Sequence, residues 1–79
     1  MTENDALNCI RESLETALDK KNIAIALETD LKNGVLDSLD SMVFLLELEQ
    51  RTGRKFPDSD IGADGFFRVD HLVKLITTS

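Results

Sequence analysis

Leu7, Ile10, Leu14, Ala17 and Leu18 recur at three- and four-residue steps, and that period predicts a helix over residues 4–21. Arg11, Glu12, Glu15 and Asp19 fall mostly on the opposite side. Asn4 or Thr2 suits the capping position, Asp5 the first turn, and Lys20 and Lys21 the last turn. Residues 22–37 lose the period. Ile23, Ile25 and Leu27 alternate as a strand would, but one alternating run has no second strand to pair with. We expect an extended or partly helical connection whose apolar residues pin it to the core, with a turn at Asn33-Gly34.

The helical period returns over residues 38–51. Asp37 is a good N-cap, and Asp40 stands where the partner residue of a capping box would stand, although Glu is the preferred type there. Thr52-Gly53 ends the helix, since glycine tolerates the left-handed exit conformation. Pro57, after Phe56, blocks continuation. Residues 58–64 have room for one short helical turn before Gly65. Val69, Leu72, Val73 and Ile76 then share one face of a last helix over residues 69–77. The chain reads as all-α, with three main helices, one short helix and a long first connection.

The second helix is more apolar than a small domain requires. One stripe is enough to pack a helix onto a core. Here Phe44, Leu45 and Leu48, extended by Ser41, make one stripe, and Leu39, Met42, Val43 and Leu46 make another. Burial on every side is hard to achieve in a chain of 79 residues. The second stripe is therefore expected to stay open for a partner.

Length and composition narrow the function classes. Seventy-nine residues make one domain, residues 1–79, with no second lobe to enclose a deep cleft. A chain that is 42% apolar and 30% charged is expected to fold. Its four aromatics are all Phe, so Leu, Ile and Val must build most of the core. The net charge of −6 repels phosphate backbones and disfavours nucleic acid as a partner. Cys9 is the only cysteine, so no internal disulfide forms. The acidic start, Met1-Thr2-Glu3-Asn4-Asp5, lacks the basic character of a secretory leader, and no apolar run is long enough to span a bilayer. The expectation is a cytoplasmic monomer without membrane insertion.

Asp37-Ser38-Leu39 at the head of the second helix means little alone, because Asp and Ser are ordinary capping residues. Its surroundings give it meaning. The segment Gly34-Val35-Leu36-Asp37-Ser38-Leu39-Asp40-Ser41-Met42 resembles the modification motif of acyl and peptidyl carrier proteins. Leu45-Leu46-Glu47-Leu48-Glu49-Gln50 is similar to the helix that follows that motif, and Phe56-Pro57-Asp58 to the Ile-Pro-Asp segment of the family. Val69, Leu72, Val73 and Ile76 match its final helix.

The resemblance covers nearly the whole chain and implies a four-helix bundle of the acyl-carrier type. It implies that a phosphopantetheinyl transferase moves 4'-phosphopantetheine from coenzyme A onto Ser38. Cargo would then be held on the arm as a thioester, loaded by an activating ligase or adenylating enzyme and passed to a downstream acyl or aminoacyl transferase. The chain itself would be a carrier and not an enzyme. Asp37, Leu39, Asp40, Met42, Val43, Leu46 and Glu49 are the expected partner-facing residues. A helix N-terminus favours an added phosphate, whereas Asp37 opposes it, so Asp37 is expected to serve the transferase.

Two departures bear on the cargo. The fatty-acid type has Asp-Leu-Gly shortly before its motif, where this chain has Asn33-Gly34-Val35-Leu36. It also has an acidic residue where Val43 stands. Both departures are similar to peptidyl carriers and to stand-alone aminoacyl or D-alanyl carriers, and favour an amino acid over a fatty or polyketide chain. An unmodified helical interaction module is the rival reading, and the intact Asp37-Ser38-Leu39 argues against it.

Other candidates carry less. His71 has no Ser or Cys near it in sequence, and no His/Cys pairing makes a zinc site. Asp58, Asp60 and Asp64 around Gly62 and Gly65 lack the spacing of a calcium loop and read as a solvated acidic loop. Cys9, Phe66 and Phe67 read as packing residues, and Leu45 and Leu48 as core.

Overall fold

The computed structural model describes residues 2–33, 35–56 and 65–78. Among them are three helices, α1 (Glu3–Leu18), α2 (Ser38–Thr52) and α3 (Val69–Thr77), with no strand beyond a single bridged pair. The short helix expected over 58–64, and the acidic residues Asp58, Asp60 and Asp64, lie outside the described residues.

Thr2 caps α1, its hydroxyl accepting from the Asp5 N–H at 3.2 Å. The helix ends three residues before the expected boundary. Asp19 takes the left-handed conformation (φ 53°) and its N–H turns back to the Glu15 and Thr16 carbonyls. Asp is one of the few types besides glycine that visit this conformation. Lys20 and Lys21 thus lie past the helix and not in its last turn. The Glu15 carboxylate then accepts from the Asn22 and Ile23 N–H groups and holds the departing chain.

The core joins Ala6, Ile10 and Leu14 of α1 to Phe44, Leu45 and Leu48 of α2 and to Val69, Leu72, Val73 and Ile76 of α3. Leu31, Leu36, Phe56, Phe66 and Phe67 close it from the connections. Phe66 stacks edge-on against both Phe56 and Phe67. The buried side of α1 also includes Ser13, whose hydroxyl donates to the Cys9 carbonyl at 2.7 Å. That internal bond lets a polar residue sit where the apolar period has a gap.

The connection between α1 and α2 is neither strand nor helix. Ile23 and Ile25 are half-buried against the core, as expected, while Leu27 is exposed. The segment finds a partner that the alternation did not reveal. Asp30 and Arg68 form an antiparallel bridge, and Leu31 donates to the Phe67 carbonyl at 2.9 Å. Val69 and Asp70, the first residues of α3, donate to the carbonyls of Thr29 and Leu27, both at 2.9 Å. The first turn of a helix leaves such N–H groups without internal acceptors. Arg68 provides no side-chain cap for α3, so the first connection supplies that cap from its own backbone.

Candidate functional site

The chain reaches Ser38 through fixed points. Leu36 is buried and donates to the Leu31 carbonyl at 2.7 Å, and Leu31 is itself buried and tied to Phe67. Asp37 stays extended and caps α2, its Oδ1 accepting from the Asp40 N–H at 2.7 Å. The Asp37 carbonyl accepts from the Ser41 N–H at 2.9 Å. Ser41 is buried, and its hydroxyl donates to the Ser38 carbonyl at 3.0 Å. The backbone of Ser38 is thus held on both sides while its side chain stands exposed at the head of α2.

The site has the electrostatics of a helix head. The N–H groups of Ser38 and Leu39 have no protein acceptor among the described residues. They face the same end as the Ser38 hydroxyl, and the positive end of the helix dipole lies there too. A phosphate esterified to Ser38 would meet these donors, so the residues present fit a phosphate-linked group.

The second apolar stripe of α2 is open. Leu39 is 75% exposed, Met42 65%, Leu46 58% and Val43 43%, while Phe44, Leu45 and Leu48 on the other side are buried. Asp37 is exposed and Asp40 half-exposed at the upper edge of this strip. Glu49, expected at its lower edge, also makes a bond within the chain. Its carboxylate accepts from the Phe56 N–H at 2.8 Å and fixes the turn after the helix. Glu49 thus has a structural bond at the margin of the strip.

The sequence signalled Leu36 and Ser41 poorly. Ser41 looked like a neutral extension of the core stripe, but its hydroxyl fastens the first turn of α2. Its spacing three residues after Ser38 was the available clue, since a hydroxyl at that distance reaches the carbonyl of the preceding turn. The anchoring of Leu31 and Leu36 rests on non-local backbone bonds and leaves no local pattern.

The set-aside residues fall into place. Phe66 and Phe67 are buried in the core. His71 is exposed and lies 5.7 Å from the Phe66 ring, centroid to centroid. Cys9 is half-buried. Burial is the main reason its thiol is pushed above the ordinary range; Glu12 adds to the shift, Arg51 opposes it and Asp5 adds to it. No described cluster of His, Cys, Asp and Glu is placed to hold a metal, and no described helix is long and apolar enough to cross a membrane.

Residues 9–67 match a family model described as a phosphopantetheine attachment site. No curated protein and no solved structure matches the chain at a significant level.

Proposed function

The chain belongs to the phosphopantetheine-attachment family of acyl and peptidyl carrier proteins, and from that premise we propose that Ser38 bears the arm and that the chain carries an activated aminoacyl group on it. Members of this family hold 4'-phosphopantetheine covalently and are carriers rather than catalysts. The arm supplies a terminal thiol on which cargo is held as a thioester.

The observation that carries the assignment is the exposed Ser38 side chain on a backbone fixed by Leu36 and Ser41. A modifying enzyme must reach this hydroxyl, and an exposed helix head offers it without unfolding. The Ser38 and Leu39 N–H groups face the phosphate that modification adds. Asp37 opposes that phosphate. We assign Asp37 two tasks: capping α2 through Oδ1 and presenting negative charge to the metal or basic residues of the phosphopantetheinyl transferase. Leu39, Met42, Val43 and Leu46, with Asp40 at the edge, form the docking strip for that transferase, for the activating ligase or adenylating enzyme, and for the downstream transferase.

The amino-acid cargo rests on the same strip. An apolar docking surface, with Val43 where the fatty-acid type has a carboxylate, suits partners that dock by apolar burial. A fatty or polyketide acyl carrier is the alternative, and its docking would depend steeply on ionic strength.

Intact mass after incubation with coenzyme A and a broad-specificity phosphopantetheinyl transferase tests the assignment. The expected result is gain of one phosphopantetheine by the native chain and none by Ser38→Ala. A native chain that gains nothing, or a Ser38→Ala variant that still gains the group, rejects it.

A further inference from the structure

The docking strip of α2 does not end at Leu46. A surface depression of about 390 Å³ continues it past the end of the helix, lined by Leu46, Glu49, Gln50, Gly53, Arg54 and Lys55. Its surroundings reverse the charge found at the head of the helix. Asp37 and Asp40 flank Ser38, whereas Arg54 and Lys55 rim the depression. The one carboxylate in its lining, Glu49, accepts from the Phe56 N–H, and the two cations outnumber it.

The cations of this region divide into two kinds. Arg51, in the last turn of α2, is engaged by Glu12 at 3.0 Å, Thr16 at 3.3 Å and Glu47 at 3.9 Å. Arg51 already offsets the negative end of the α2 dipole. Arg54 and Lys55 lie beyond Gly53 and have no ion-pair partner among the described residues. Gly53 itself, left-handed at φ 71°, has open space where a Cβ would stand. An apolar strip thus runs from an acidic head into a depression with a basic rim.

We propose that this depression is the second anchor point of the docking surface and receives a segment of a partner protein that presents an aliphatic side chain flanked by carboxylates. The aliphatic group packs on Leu46, and the carboxylates meet Arg54 and Lys55. The proposal rests on the reading of α2 as a docking helix and adds a direction to it. With 15 residues in α2 at about 1.5 Å each, the acidic segment of the partner sits about 20 Å from the opening that receives Ser38. Opposite charges at the two ends then admit one orientation of the partner and penalise its reverse.

The test uses two synthetic peptides, acetyl-Glu-Leu-Leu-Glu-amide and acetyl-Lys-Leu-Leu-Lys-amide, titrated into the ¹⁵N-labelled full chain and followed by amide shifts. The acidic peptide is expected to move Leu46, Gly53, Arg54 and Lys55 at concentrations that leave them unmoved by the basic one. In Arg54→Glu/Lys55→Glu the acidic peptide should bind about tenfold more weakly, the scale of two exposed ion pairs turned into repulsions, and the basic peptide should gain. Arg54→Gln/Lys55→Gln, milder for the fold, should abolish the preference without inverting it. Equal response to both peptides, or a preference that survives charge reversal, overturns the proposal. Transferase-catalysed mass gain by the same variants separates the two readings. A chain that takes the arm but does not discriminate between peptides loses only the basic anchor; one that discriminates but takes no arm loses only the carrier assignment.

Discussion

Asp37 serves the fold and the proposed chemistry through different properties, and substitutions separate them. Its Oδ1 caps α2. Asp37→Ala should therefore cost about 1 kcal/mol, seen as a lower midpoint in urea. Asp37→Asn keeps a capping oxygen and loses the charge. Its midpoint should stay near the native one, while the KM of the modifying transferase for the chain rises. Cys9 gives a complementary check. Its raised pKa leaves little thiolate near neutrality. Alkylation at pH 7.5 should be slow at the half-buried Cys9 and faster at the exposed arm thiol of the modified chain. The folded state favours the neutral thiol, so this small contribution is intact below the ordinary thiol pKa and is lost as pH rises through the folded one. At this scale Ser38 and Asp37 were legible because their positions formed part of a chain-long pattern. The hydroxyl of Ser41 was not, because composition does not distinguish a serine that fastens a turn from one that fills a face.

Helix α2 divides into a half that holds the fold and a half that leaves it open. Leu48→Ala removes a fully buried side chain and should cost about 2–5 kcal/mol in urea unfolding. Met42→Ala removes a group that is 65% exposed and should change stability by less than about 0.5 kcal/mol while weakening transferase docking. The opposite ranking would show that the strip is part of the core. Both stripes were legible because burial on a helix follows its period. The limits of α2 and α3 were legible too, since Asp37 and Gly53 bracket one and Val69, Leu72, Val73 and Ile76 lie on one face of the other. The end of α1 was not. Lys20 and Lys21 looked like dipole partners, but the left-handed turn at Asp19 had already closed the helix.

For the whole molecule, the net charge of −6 and the apolar strip make opposite statements about partners. If docking follows global charge, raising salt from 50 to 500 mM should weaken an activating enzyme's binding many-fold, because that range brings the screening length down to a few ångströms. If docking follows the strip, the loss should stay within about threefold, as expected where apolar burial provides most of the affinity. Isothermal titration across that salt range decides, and a steep loss counts against amino-acid cargo. The topology that brings the first connection onto α3 was the least legible part of the fold. The bridge between Asp30 and Arg68 joins positions far apart in sequence, and the short alternation at Ile23, Ile25 and Leu27 gave no sign of its partner.

That long-range join ties Ser38 to a distant part of the chain. Leu36 donates to Leu31, Leu31 donates to Phe67, and Val69 donates back to Thr29. The foundation of the α2 head is therefore shared with the foundation of α3, and neither can loosen alone. In hydrogen exchange, the amides of Leu31, Leu36 and Val69 should open as one cooperative unit, with a common protection that falls in all three when Phe67 is shortened to Ala. A load pulling on the prosthetic arm would then be borne by the second half of the chain as well as by the helix to which it is attached.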